Sequence, residues 1–217
     1  MAELPCSAQP AEEEPMDLTR RITPEQGRLF VVSGPSGVGK GTVIRATMQR
    51  DLGSTPLIKC ITATTRSPRP GEENGVHYHF FSRAEFEKHI DDGYFLEFAS
   101  YNNNLYGTPM EGVNSARSVG KDVLLEIEVQ GGLAVRERAP DAILVFLAPP
   151  SWQVLEERLL NRATESPEVA ERRLKIARQE MQAVSHYDYC VVNDNLDDAV
   201  DSLRAIVVAE RHRIIIH

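Results

Sequence analysis

From Arg28 onward, short apolar runs take turns with longer segments of helical spacing. "RLFVV", "DVLLEIEV", "AILVFLA" and "YCVVN" are apolar or alternating and read as strands of a buried sheet. Helical patterns follow them in turn: "GTVIRATMQRDLG" with its closing glycine, "QGGLAVRERA", "SWQVLEERLLNRA" and "LDDAVDSLRAIVVAERHR". A further long helical stretch, "PEVAERRLKIARQEMQAVSHY", precedes the last strand. Strands interleaved with helices predict an α/β fold: a three-layer core with a parallel sheet covered on both faces.

Residues 62–112 interrupt this rhythm. They are polar, turn-rich and aromatic, with short alternating strands around "AEFEKHIDDG". We read them as a subdomain inserted into a core made of residues 28–61 and 113–217; such insertions often cover an active site. Residues 1–27, with "AEEEP", hold little that could be buried and read as a mobile acidic tail.

Composition narrows the class. The chain has 217 residues, 41% hydrophobic and 26% charged, an ordinary globular balance. The net charge of −8 argues against a nucleic-acid polymer as partner. The apolar runs are too short to span a bilayer. Cys6, Cys60 and Cys190 are scattered and odd in number, which points away from a disulfide framework and towards a reducing, cytoplasmic compartment. His77 and His79 alternate beside Tyr78 and read as structural or surface groups.

The chemistry starts at "GPSGVGKGT", residues 34–42. Gly34, Gly39 and Lys40 match the phosphate-loop pattern G-x-x-x-x-G-K-[ST], between a predicted strand and a predicted helix. In such a loop the backbone N–H groups of Gly34, Pro35, Ser36, Gly37, Val38, Gly39, Lys40, Gly41 and Thr42, the proline excepted, are positioned for phosphate oxygens. Gly41 stands where the pattern has the hydroxyl that contacts magnesium. Thr42, one place later, is left as the contact to Mg2+ or phosphate, directly or through water. This implies nucleotide binding but no particular reaction.

Further along, "TTRSPRPGEENGVHY" sets Arg66 and Arg69 on a proline-stiffened segment, with Glu72 and Tyr78 beyond. Planar guanidiniums suit bidentate phosphate binding, and Glu72 is placed to hold one of them; by composition alone a solvated loop fits equally well. Taken alone, Glu97 in "FLEFA" and Glu128 in "LEIEV" read as outward positions of alternating strands. Arg158 and Arg162 are four apart on one helix face, and Arg173 follows; such a run usually marks a solvated face.

The loop, "TTRSPRPGE", "NGVHYHF", "LYGT", "LEIEVQG", "FLAPPS" and "VVND" together resemble the guanylate kinase family, in its order and over nearly everything from Arg28 to the last helix. The resemblance implies a P-loop NTPase core, an inserted GMP-binding subdomain and a mobile lid near residues 158–173. It implies transfer of a phosphoryl group from ATP, with Mg2+, to GMP and also dGMP, in purine nucleotide metabolism and GMP recycling. Arg66, Arg69, Tyr78 and Tyr106, with Glu72, would then serve the GMP phosphate. Thr62 and Thr108 would lie near the guanine, and Glu97 and Glu128 would accept hydrogen bonds from it. Asn193 would lie near the adenine of ATP. Lys40, Arg66, Arg158, Arg162 and Arg173 would stabilise the transferring phosphate. The chain departs from the family at Ala163, in "RATE", and at Asn103, each where a glycine is common. Two other readings stay open: a small P-loop kinase for AMP or a sugar bisphosphate, and a guanylate-kinase-like module that binds phosphorylated peptides without catalysis.

Overall fold

The computed structural model describes residues 26–101, 103–160 and 167–213. Arg162, Ala163, the expected tail up to residue 25 and the C-terminal "IIIH" lie outside them. Strands β1 (Leu29–Ser33), β2 (Leu57–Lys59), β7 (Asp122–Glu126), β8 (Ile143–Ala148) and β9 (Tyr189–Val192) form a five-stranded parallel sheet in the order β2-β7-β1-β8-β9. β1 and β8 are buried along their whole length, as the continuous apolar runs require of central parallel strands.

Successive side chains of a strand point to opposite faces, and the core divides accordingly. Phe30, Val32, Leu124, Val145 and Leu147 pack on one face against helices α1 (Lys40–Met48) and α7 (Leu196–Arg211), through Val43, Ile44, Ala199, Val200, Leu203 and Val207. Leu29, Val31, Val123, Leu125 and Leu144 pack on the other against α3 (Met110–Ser118) and α4 (Val129–Arg138), through Val113, Ala116 and Val135. The strand β2 carries no strong apolar run and is not among the predicted strands. The pattern "DVLLEIEV" also promised a longer β7 than the one observed. The strand stops at Glu126, and Glu128 is already the N-cap residue of α4.

A second sheet, of four strands ordered β4-β3-β6-β5, is built from β3 (Ala63–Thr64), β4 (His79–Phe80), β5 (Phe95–Tyr101) and β6 (Asn104–Pro109). Its small core is Ala63 with the stacked rings of Phe86 and Phe95. Phe86 comes from α2 (Arg83–Asp91), which a reciprocal Ser82–Glu85 capping box starts. The β5–β6 hairpin turns through Asn103, at φ 63, so asparagine meets the left-handed backbone that this turn requires.

The remaining helices are α5 (Trp152–Leu160) and α6 (Pro167–Gln182), the latter continued by a 3-10 turn at Ala183–His186. The strand order reverses around β1, so a crevice opens beyond the carboxyl ends of β1 and β7. None of the helices among the described residues is long and apolar enough to cross a membrane.

Candidate active site

The glycine-rich loop runs from the end of β1 into α1, at that crevice. Gly39, the N-cap, has φ 96, a conformation open to glycine at little strain. No side chain caps α1 and no acidic residue occupies its first turn, so its leading N–H groups and positive dipole end are left for an anion. The loop is held from several sides. Lys40 Nζ donates to Gly34 O at 2.6 Å and to Pro35 O at 3.5 Å. Asn193 Nδ2 donates to Val38 O at 2.7 Å, and Arg173 donates to the Ser36 hydroxyl at 3.3 Å.

The absent hydroxyl at Gly41 has a local explanation. A Cβ there would meet Glu126 Oε1 at 3.0 Å. Glu126 is itself fixed by an ion pair to Lys59 at 2.5 Å. A serine at position 41 would therefore need this tethered carboxylate to give way by a few tenths of an ångström.

This loop and the second sheet line one cavity of about 640 Å³. From the loop come Ser36, Gly37, Gly39, Lys40, Gly41 and Thr42. The second sheet and its flanks contribute Thr62, Arg66, Arg69, Tyr78, Glu97 and Tyr106. Glu126 and Glu128 enter from the end of β7, and Arg173 from α6. The structure thus brings most of the predicted residues together, although Glu128 lies 88 positions beyond Lys40 in the sequence.

Several predicted residues have other partners. Glu72 does not line the cavity. It binds Arg66 through two parallel bonds of 2.9 Å and accepts from the Arg69 backbone N–H at 2.7 Å. Those hydrogen bonds, Arg66 first, hold its carboxyl below the ordinary range despite some desolvation. Its role is to orient the arginine pair. Arg66 also lies over the rings of Tyr78 and Phe80, at 5.4 and 5.9 Å. Arg158 donates to the Asn193 carbonyl at 3.3 Å and is not in the cavity wall, and Asn193 is buried with its amide on the loop. Both support the phosphate loop instead of facing the cavity. Gly34, Pro35 and Val38 are buried beneath it. Glu128 lines the cavity but forms an ion pair with Lys40 at 3.4 Å.

Glu97 is only 3% exposed, and Thr108 Oγ1 donates to it at 2.7 Å, also from a fully buried position. Burial pushes its carboxyl up to about 7, against the opposing hydrogen bond from Thr108 and the attraction of Arg138. Arg138 donates to the Phe95 and Leu96 carbonyls at 3.0 Å and so ties α4 to β5 just before Glu97. Gly131 makes the room: a Cβ there would fall 2.7 Å from Glu97 Oε2.

Sequence reasoning passed over Arg45, Glu126, Gly131 and Arg172, which also line the cavity, and Glu180, buried beside the loop. Arg45 follows Gly41 by four positions on α1, and Glu180 follows Arg173 by seven on α6, so helical spacing is the available signal for both.

A profile of the guanylate kinase family matches residues 26–210. The guanylate kinase of Bacillus subtilis is 50% identical over 86% of this chain and 90% of its own length. That of Desulfitobacterium hafniense is 48% identical over 87% and 92%. Among solved structures, a crystal structure of guanylate kinase from Anaplasma phagocytophilum superposes with a TM-score of 0.71 at 28% identity, covering 87% of this chain and 88% of that one.

Proposed function

The chain belongs to the guanylate kinase family, and from that membership we propose how its own residues carry ATP-dependent phosphorylation of GMP to GDP. It is a nucleoside monophosphate kinase. One observation carries the residue-level reading: a single cavity is lined both by a phosphate loop and by an arginine–tyrosine group with a buried carboxylate beside it.

The ATP triphosphate lies on the loop amides and on Lys40, and the GMP phosphate on Arg66, Arg69, Tyr78 and Tyr106. Thr62 flanks the guanine. Glu97 accepts from the guanine N1–H and amino group, and Thr108 holds it in place to do so. Adenine lacks that pair of donors and would leave a buried carboxylate unpaired. Glu128 is the second acceptor, released for the base when Lys40 turns from it to a phosphate. Because the assigned contacts are to base and phosphate, dGMP is included as an acceptor.

The acceptor phosphate is already anionic, so no general base and no phosphoenzyme are needed. Transfer is direct and in line, driven by positioning and charge neutralisation. Lys40, Arg66 and Arg173 supply positive charge at the transferring group, with Arg162 added from the lid expected near residues 158–173. Arg158 acts by bracing Asn193. Thr42 in the cavity wall, next to the phosphate loop, suits a Mg2+ ion that arrives on the nucleotide and keeps much of its water. Thr42 is the side chain that would hold it, directly or through water, and the ion would add neutralising charge. The free thiols of Cys60 and Cys190 support a reducing, cytoplasmic setting.

A coupled assay of ADP release with ATP plus GMP, AMP or no acceptor tests the reading. We expect fast turnover with GMP alone. Turnover with AMP and none with GMP would overturn the guanine assignment, and silence with every acceptor would favour a non-catalytic binding module.

A further inference from the structure

Glu180 has no part in the reaction as set out above, yet it is buried against the phosphate loop. It lies on α6, 7% exposed, with the Ser36 backbone N–H as a hydrogen-bonding neighbour. Its Oε2 atom is buried without a partner. Arg173, two turns earlier on the same helix face, holds the Ser36 hydroxyl. Ile176, between them, lines the cavity. One face of α6 therefore grips the phosphate loop at Ser36 by both its backbone and its side chain.

We propose that Glu180 is a positioning residue of the nucleotide site, holding the tip of the phosphate loop from α6 and giving up its negative charge to a proton when a nucleotide's phosphates enter. This rests on the reading of the loop as the ATP site. The charged and titratable groups around Glu180 are Lys40 from α1, Glu128 from the start of α4, Tyr187 from the segment before β9 and Arg173 on α6 itself. Two carboxylates thus share the neighbourhood of one ammonium, whose other contacts are the Gly34 and Pro35 carbonyls. Burial, with the Glu128 charge second, raises the Glu180 carboxyl to about 7. Phosphates arriving at the loop draw Lys40 away and add like charge, so the ionised form loses its cation and gains repulsion. The neutral carboxyl still accepts from the Ser36 N–H through its carbonyl oxygen. No bond other than that to the proton forms, and the proton comes from solvent.

Binding of MgADP, which has nothing to react with when no acceptor is present, is measured by titration calorimetry at pH 7.5 in buffers of different ionisation enthalpy. The wild type is expected to take up about half to three quarters of a proton per nucleotide, since a carboxyl near 7 is already partly protonated at pH 7.5, and to lose affinity by at most about tenfold per pH unit above pH 7. Glu180→Gln, neutral at every pH and of the same shape, is expected to take up almost none and to bind with a flat pH profile. Glu128→Gln is expected to keep the uptake. Wild-type binding without proton uptake, or equal uptake in Glu180→Gln, overturns the proposal and leaves the kinase reading standing. A wild type that binds no MgADP overturns both.

Discussion

The phosphate loop and the acceptor sheet face one cavity but are held in different ways. The loop rises from β1, whose five residues are all buried, and it offers backbone amides whose direction follows from the chain path itself. The acceptor sheet has a core of three fully buried residues, and its working groups are side chains positioned by other side chains: Arg66 by Glu72, Glu97 by Thr108. A site made of backbone is robust to side-chain change except at its lysine and its glycines. One made of side-chain pairs depends on every partner, and each can be removed singly.

The largest effect is expected at the one indispensable side chain of the loop. Lys40→Met removes the cation but none of the amides, so the protein should fold normally by circular dichroism. Turnover should fall by about 100- to 1,000-fold, the usual loss for one preorganised charge-stabilising group. Near-normal turnover would mean that the amides alone carry the phosphate and would sink the mechanism.

Next comes Glu97, the most buried carboxylate of the acceptor side. Glu97→Gln keeps the shape but offers guanine one acceptor where two donors arrive. We expect kcat/KM for GMP to fall by about 10- to 100-fold with KM for ATP unchanged. The same residue gives a stability signature. Its folded carboxyl titrates near 7 against an ordinary 4.5, so between these values the folded chain holds more protons than the unfolded one. Stability should therefore fall as pH rises through that window and level off above it, with Glu180 contributing in the same direction. Glu97→Gln should be the more stable protein at pH 8, by about 1–3 kcal/mol in denaturant titrations, and should lose the advantage by pH 4.5. Equal midpoints at pH 8 would show that the buried carboxylate is well compensated.

Glu72→Gln probes the pairing itself. It breaks one charge-assisted arm of the Arg66 fork and weakens the bond from the Arg69 N–H. KM for GMP should rise about tenfold, with smaller change in kcat, because the arginines remain but are less well aimed. If kcat falls and KM does not, Glu72 acts on the transferring group and not on the resting acceptor.

The same contrast governs how much could be read from sequence. β1, β7, β8 and β9 declared themselves by apolar runs, and the loop by glycine spacing between a strand and a helix, because both follow from local backbone rules. β2 did not, since Leu57 and Ile58 are only partly buried and Lys59 is exposed, at the edge of the sheet. Glu97 and Thr108 are eleven positions apart and meet only across the β5–β6 ladder. From alternation alone Glu97 pointed to solvent; the register shift between Phe95 and Glu97 leaves three consecutive residues, Phe95, Leu96 and Glu97, buried. Glu72 and Arg158 were legible as charges, but what they touch depends on loop and helix packing that no spacing rule encodes.

Asn103 offers the finest test, since it lines the cavity at the turn of the acceptor sheet's hairpin and its clearest structural demand is on the backbone. It is exposed, at φ 63, in the turn between β5 and β6, and asparagine tolerates that region better than other residues with a side chain. Glycine would remove the remaining strain but would gain freedom in the unfolded chain, so Asn103→Gly should change stability by less than about 1 kcal/mol. Alanine has neither the local hydrogen bonding of asparagine nor the freedom of glycine, and Asn103→Ala should be less stable by about 1 kcal/mol. KM for GMP should barely move in either variant, because the turn sets the hairpin and Glu97 is anchored at its other end by Thr108 and α4. A rise in KM that tracks the loss of stability in Asn103→Ala would show instead that the hairpin turn transmits to Glu97, and that the acceptor site is as dependent on backbone geometry as the phosphate loop.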